Sequence, residues 1–166
     1  MAKIGLFYGS TRKTEATEAL GGDIVIPIHE ISDVTNSDFA KRDRMIIAYP
    51  TWDIDALQSD WEGFCEDDSD SIDLGGNKRA YFGAGNQVSY ADNFQDEMEI
   101  LIAKRSSVGG ETVSYWFIKD YEHEASKADR GGKFIGLALD EDNRLELTGE
   151  RIQESTTLLE TEFALR

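Results

Sequence analysis

The sequence predicts an α/β fold: a doubly wound parallel sheet of five strands, in the order 2-1-3-4-5, with helices on both faces. Two observations carry this reading. Short apolar runs of strand type alternate along the chain with segments of helical periodicity. And 166 residues suffice for one sizeable core but are short for two, so all the strands belong to a single domain, residues 1–166.

The elements follow in order. Lys3–Tyr8 ("KIGLFY") reads as a buried strand, and Thr14–Leu20 as a short helix stopped by Gly21-Gly22. Ile24–Ile28 is a second apolar strand, and Pro27 within it argues for an edge position. Thr35–Lys41 reads as a short helix, and Met45–Ala48 as a third strand ending at Tyr49-Pro50. Ala56–Asp67 is helical, with Leu57, Trp61 and Phe64 on one face. Ala80–Phe82 is a fourth strand, closed by Gly83-Ala84-Gly85. Phe94, Met98, Leu101 and Ile102 form the stripe of an amphipathic helix. Thr112–Ile118 and Phe134–Leu139 are strand-like, and Ile152, Leu159 and Phe163 mark a last helix.

Composition excludes several classes. The chain carries 17 basic against 33 acidic residues, a net charge of −16, which repels nucleic acid and anionic membrane. The surplus either keeps the chain soluble or steers it toward a basic protein surface. No stretch approaches the roughly 18 apolar residues of a membrane span. The N-terminus enters a strand at once, which leaves no room for a signal peptide. One cysteine, Cys65, excludes an internal disulfide and fits a reducing, cytoplasmic setting. His29 and His123 are isolated, and no spacing of Cys, His and carboxylates suggests a metal site.

In a doubly wound sheet, ligands lie beyond the carboxyl ends of the strands, near the point where the strand order reverses. That rule selects the loops after Tyr8, Ala48 and Phe82. The first, "GSTRKTEAT", sets the three hydroxyls of Ser10, Thr11 and Thr14 and two cations where a strand meets a helix. Amide hydrogens and the helix dipole attract anions there. It is too short for a nucleotide P-loop: three residues separate Gly9 from Lys13, and Arg12 stands where that motif has a glycine. A magnesium-dependent phosphoacceptor would need acidic strand ends, which are absent. A phosphate monoester on a larger cofactor remains, beside the plain alternative of a hydroxyl-rich helix cap. The other two loops, "PTWDID" and "GAGNQVSYADN", carry Trp52 and Tyr90. Two aromatics beside a phosphate-type loop can enclose a flat ring system, at about 0.5–1.5 kcal/mol beyond the area buried. Gly83 and Gly85 would let the backbone approach it.

Together, "KIGLFYGS", "PTWDIDALQSDWEG", "YFGAGNQVSYADNFQDEMEIL" and "FIGLALDEDN" resemble the long-chain flavodoxins of cyanobacteria and algae over nearly the whole chain. The resemblance implies a low-potential one-electron carrier that binds FMN non-covalently and is not an enzyme in its own right. It also implies a last strand interrupted by an insertion, around Phe117–Lys133. By position, Ser10, Thr11 and Thr14 would hold the FMN phosphate, and Trp52 and Tyr90 would flank the isoalloxazine. The backbone of Gly85, Asn86 and Gln87 would meet the pyrimidine edge of the ring. The Asp53 carbonyl, in the Asp53–Ile54 peptide, would accept a hydrogen bond from the protonated N5 of the one-electron-reduced flavin. Thr51, Asp55 and Ala84 complete the binding set.

The sequence departs from the family's phosphate loop, which here is one residue short, and the first helix is shorter than usual. Arg12 and Lys13 then either pair with the phosphate or stand as solvated surface cations. Asp53 and Asp55 occupy places where relatives often have Asn and Gly. At ~6 Å and an effective dielectric of about 20, each carboxylate would disfavour the anionic reduced flavin by roughly 3 kcal/mol before screening. Asn86, where an aspartate is frequent, would act the other way. Implied partners are photosystem I or a similar low-potential donor, and ferredoxin–NADP reductase or a similar acceptor, meeting a monomer in transient complexes. An FMN-dependent NAD(P)H:quinone reductase, or a module that has lost its flavin, are the alternatives.

Overall fold

The structure, a computed structural model, describes residues 4–9, 27–50, 59–66, 76–96, 98–100 and 110–165. The strands and helices within it include β1 (Ile4–Tyr8), β2 (Ile28–Glu30), α1 (Asn36–Ala40), β3 (Arg44–Pro50), α2 (Ser59–Glu66), β4 (Lys78–Ala84), β5 (Glu111–Thr112), β6 (Trp116–Phe117), β7 (Lys133–Phe134), β8 (Leu137–Leu139) and α3 (Leu145–Glu162), with a 3-10 turn at Ile31–Asp33. The expected helix over Thr14–Leu20 lies outside the described residues.

The main sheet is parallel, with strand order β2-β1-β3-β4-β5. β8 also pairs with β4, further along it. β5 lies beside Lys78 and Arg79, while β8 lies beside Phe82–Ala84. The fifth position in the sheet is therefore one strand in two pieces, as the resemblance implies. Among the described residues β2 pairs only with β1, the edge position that Pro27 argued for. Residues 24–26 of the expected strand lie outside the described residues; β2 runs from Ile28 to Glu30, and Pro27 before it contributes its carbonyl, which accepts the Leu6 N–H at 2.9 Å. A proline can accept a ladder bond but cannot donate one.

Alternation along each strand divides the core in two. Phe7, Met45, Ile47, Tyr49 and Tyr81 pack with Trp61 and Phe64 of α2 and with Phe94, Met98 and Phe134. Leu6, Ile46, Ala48, Ala80 and Phe82 pack with Ile152, Leu159 and Phe163 at the last helix. Both faces of the sheet are thus covered, which is why its strands read as unbroken apolar runs. The Trp61 indole N–H donates to the Ala48 carbonyl at 3.0 Å, so this tryptophan is core, as its place on the helix face suggested. Cys65 and Trp116 also pack against the core.

Two of the strand-like stretches divide differently from their sequence pattern. Thr112–Ile118 is not one strand. Val113 continues the ladder by one bond to the Arg79 carbonyl, at 2.9 Å. Then Ser114 turns the chain with φ 65°, and its N–H donates to the Glu162 carboxylate. Phe134–Leu139 likewise divides: Phe134 belongs to a separate antiparallel pair, β6 with β7, and the chain rejoins the main sheet at Leu137. Between them Gly136 runs against β4, where a Cβ would lie 2.0 Å from the Tyr81 carbonyl oxygen. The interruption is thus wider than Phe117–Lys133, extending from Ser114 to Gly136. Its underside is a cluster of aromatic rings: Phe94, Tyr121, His123 and Phe134, with centroids 5.0–6.5 Å apart.

Candidate functional site

Strand register sets the carboxyl ends side by side. Tyr8 lies opposite Ala48, Pro50 opposite Ala84, and Ala84 opposite Leu139. From β1 the chain passes to β2 on one side and then to β3 on the other, so the order reverses beside β1, and a crevice belongs there. Gly9 donates its N–H to the Ala48 carbonyl at 3.2 Å, which keeps the exit of β1 against β3. The expected phosphate residues Ser10, Thr11, Arg12, Lys13 and Thr14 lie outside the described residues. So do Thr51, Trp52, Asp53, Ile54 and Asp55 after β3.

The exit of β4 is described in full. Gly85 prolongs the ladder, donating its N–H to the Leu139 carbonyl at 2.8 Å. Asn86 then folds the loop around its own side chain. Its Oδ1 accepts the N–H groups of Val88 (3.1 Å) and Ser89 (2.8 Å), the local turn that Asn side chains favour. Its backbone carbonyl accepts the Tyr90 N–H at 3.0 Å. Asn86 Oδ1 also receives Asn143 Nδ2 at 2.8 Å, and Asn86 Nδ2 donates to Asp142 at 3.2 Å.

Behind this loop lies Asp140, 1% exposed. Its carboxylate accepts the Gln87 N–H (3.0 Å), the Asn143 N–H (3.0 Å) and Asn143 Nδ2 (3.0 and 2.9 Å). A buried carboxylate is tolerated when its oxygens are filled by donors in this way. The Gln87 side chain turns toward the insertion, where its Oε1 accepts the Glu122 N–H at 2.6 Å. The amides of Gly85 and Gln87 are therefore committed within the protein rather than held toward a ligand.

Gly83 has a different role from the one the sequence suggested. A Cβ there would lie 2.1 Å from Gln95 Oε1 and 2.7 Å from the Tyr49 hydroxyl. The glycine makes room for buried side chains. Gln95, with φ 63° and no exposure, donates from Nε2 to the Gly83 carbonyl at 3.3 Å and so ties the far end of the loop to β4.

The result is a loop pinned at both ends that leaves an aromatic ring outside. Tyr90 is 38% exposed and Val88 57%, although both belong to a segment whose backbone bonds are satisfied. This fits a planar aromatic guest, since ring stacking on a pre-formed loop costs little ordering. Sequence reasoning missed Asp140, Asn143 and Gln95. The first two were open to the strand-end rule: "LDEDN" follows β8, which is also an exit at this end of the sheet. Among the described residues, no group of three or more His, Cys, Asp or Glu side chains could hold a metal.

A family model described as Flavodoxin matches residues 13–154. The chain belongs to the flavodoxin family. A flavodoxin of Trichodesmium erythraeum is 50% identical over 171 aligned residues, which cover 99% of this chain and 100% of the relative. One from Synechocystis sp. is 52% identical over 159, covering 92% and 93%. Among solved structures, a Fusobacterium nucleatum flavodoxin described as bound to flavin mononucleotide superposes with a TM-score of 0.89 at 25% identity, covering 98% of this chain and 99% of that one. The divided fifth strand is the long-chain feature that the sequence resemblance implied. Of the three loops that the switch-point rule selects, the one pinned on Asp140 and Asn143 is described in full.

Proposed function

We propose that the chain is a one-electron carrier that holds FMN non-covalently at the carboxyl ends of β1, β3 and β4. The observation that carries this reading is the exposed Tyr90 ring on a loop fixed by Asn86, Asp140 and Asn143 at the carboxyl end of β4. Family membership and the flavin described in the Fusobacterium relative support it.

When bound, the flavin supplies the redox chemistry. The protein supplies position and surroundings. Ser10, Thr11 and Thr14, aided by Arg12 and Lys13, hold the phosphate. Trp52 and Tyr90 enclose the ring, and the 51–55 and 84–87 segments line its edge. Asp53 and Asp55 lower the second one-electron potential by repulsion, which the neutral Asn86 side chain moderates. The whole chain, residues 1–166, acts as one cytoplasmic domain. Among the described residues, no helix is long and apolar enough to cross a membrane.

A net charge of −16 suits docking to basic redox proteins, in encounters that are weak and weaken further with salt. The donor would be photosystem I or an equivalent, and the acceptor ferredoxin–NADP reductase or an equivalent. The test is NADPH-driven reduction of cytochrome c by the flavin-loaded protein, with and without ferredoxin–NADP reductase. A carrier needs the reductase and slows as ionic strength rises. Fast, salt-insensitive NADPH:quinone turnover by the protein alone would overturn the reading in favour of an enzyme.

A further inference from the structure

A groove of about 590 Å³ opens between the insertion and α3, and it shares no lining residue with the loop of Gly85 to Tyr90. Its apolar walls come from Tyr115, Trp116 and Phe117 on one side and from Leu147 and Leu158 on the other. Tyr115 and Phe117 are 39% and 67% exposed, which is unusual for side chains of this size.

Arg151 also lines the groove. It is only 6% exposed. Its guanidinium lies over the Tyr121 ring, 4.2 Å from the centroid, and Nη1 is buried with no hydrogen-bond partner among the described residues. Nothing in the crevice reading uses this residue. A buried guanidinium that stacks on an aromatic face on one side and lacks an acceptor on another is costly to keep. An incoming anion would supply the missing acceptor, and arginine suits a carboxylate because its planar fork matches both oxygens.

The charges around the groove limit which anion fits. Lys119 and Lys133 add to Arg151, but Asp120, Glu150, Glu154 and Glu162 also line the site. Lys133 is stacked on Phe117, with Nζ 4.5 Å from the ring centroid. Three cations against four carboxylates leave the lining at −1 in a chain of −16, so a single negative charge seated on Arg151 meets about half the repulsion that a phosphate dianion would. The volume is that of a small-molecule site.

We propose that this groove binds a small organic monocarboxylate with an apolar or aromatic body, the carboxylate on Arg151 and the body between Phe117 and α3. The test is a ¹H–¹⁵N NMR titration of the full chain with 4-phenylbutyrate and, separately, with its neutral amide. Excess FMN is present so that the crevice is not the binding site, and the same outcome is expected without it. The acid should shift the Trp116 indole, the Phe117 amide and the Arg151 side-chain signals, and bind about tenfold or more tightly than the amide, the usual worth of a hydrogen bond to a charged group. Arg151→Gln should bring the two ligands to the same affinity. Phe117→Ala, a change at an exposed site, should weaken both alike. Equal affinity of acid and amide for the unaltered chain, or no shift at these groups, would overturn the proposal.

Discussion

Asn143 is the residue on which the crevice loop most depends. Through one amide group it donates to both oxygens of buried Asp140 and to Asn86 Oδ1. Replacing it with alanine leaves a buried carboxylate short of donors and frees the Asn86 turn. Asn143→Ala should therefore cost about 1–3 kcal/mol in chemical denaturation, the usual penalty of a buried polar group left unmatched, and should weaken FMN binding at the same time. His123 gives a second expectation at this scale. Burial among aromatic rings holds its pKa below the usual 6.5, slightly offset by Asp129, and its buried Nδ1 has no partner among the described residues. A base whose folded pKa is depressed takes up its proton in the unfolded chain first, so stability is lost as pH falls below 6.5. His29 contributes in the same direction, its pKa lowered by burial and then by Arg42. Denaturation midpoints at pH 7 and pH 5.5 should differ more in the native chain than in His123→Gln. An equal difference in both would exclude this cause. These residues were also the least legible in sequence. His123 looked isolated because two of its ring partners, Phe94 and Phe134, come from other elements, and Asn143 was not singled out because its partner Asn86 lies far from it in the chain.

The elements were legible where one physical pattern governs a whole segment. β1, β3 and β4 are buried on both faces, and their apolar runs marked them, although β3 and β4 run on to Pro50 and Ala84, past the positions where the pattern ended. Propensity stops at a polar or small residue, whereas a ladder continues while its neighbour does. The fifth strand defeated the pattern for the same reason. Thr112–Ile118 and Phe134–Leu139 are each continuous by composition, yet each serves two sheets, and what divides them is tertiary: the Ser114 turn held by Glu162, and the close pass of Gly136 over Tyr81. Gly136→Ala should thus act on the element as a whole. With a Cβ 2.0 Å from a backbone oxygen, the neighbour cannot yield as a side chain would. A loss of about 1–3 kcal/mol in thermal or chemical unfolding is expected, together with weaker hydrogen-exchange protection of the β8 amides. Protection equal to that of the native chain would mean that β8 is not held by this contact.

At the scale of the whole molecule, the strand order and the covered faces followed from the alternation of apolar runs, and the switch-point rule then proposes the place of the crevice. The roles within the crevice followed from resemblance, and of the expected binding set only Ala84, Gly85, Asn86, Gln87 and Tyr90 fall among the described residues. There the structure adds what sequence could not show: the amides of Gly85 and Gln87 are already taken, and the ring of Tyr90 is what the loop offers. We propose that this end of the sheet grips a phosphorylated planar cofactor. This is tested most directly by titrating FMN with the purified chain while following flavin fluorescence, in parallel with Tyr90→Ala. Quenching by the native chain should be stoichiometric, and binding in the variant weaker by roughly tenfold, the upper end of what one stacked ring contributes. Undiminished fluorescence at saturating native protein would contradict it.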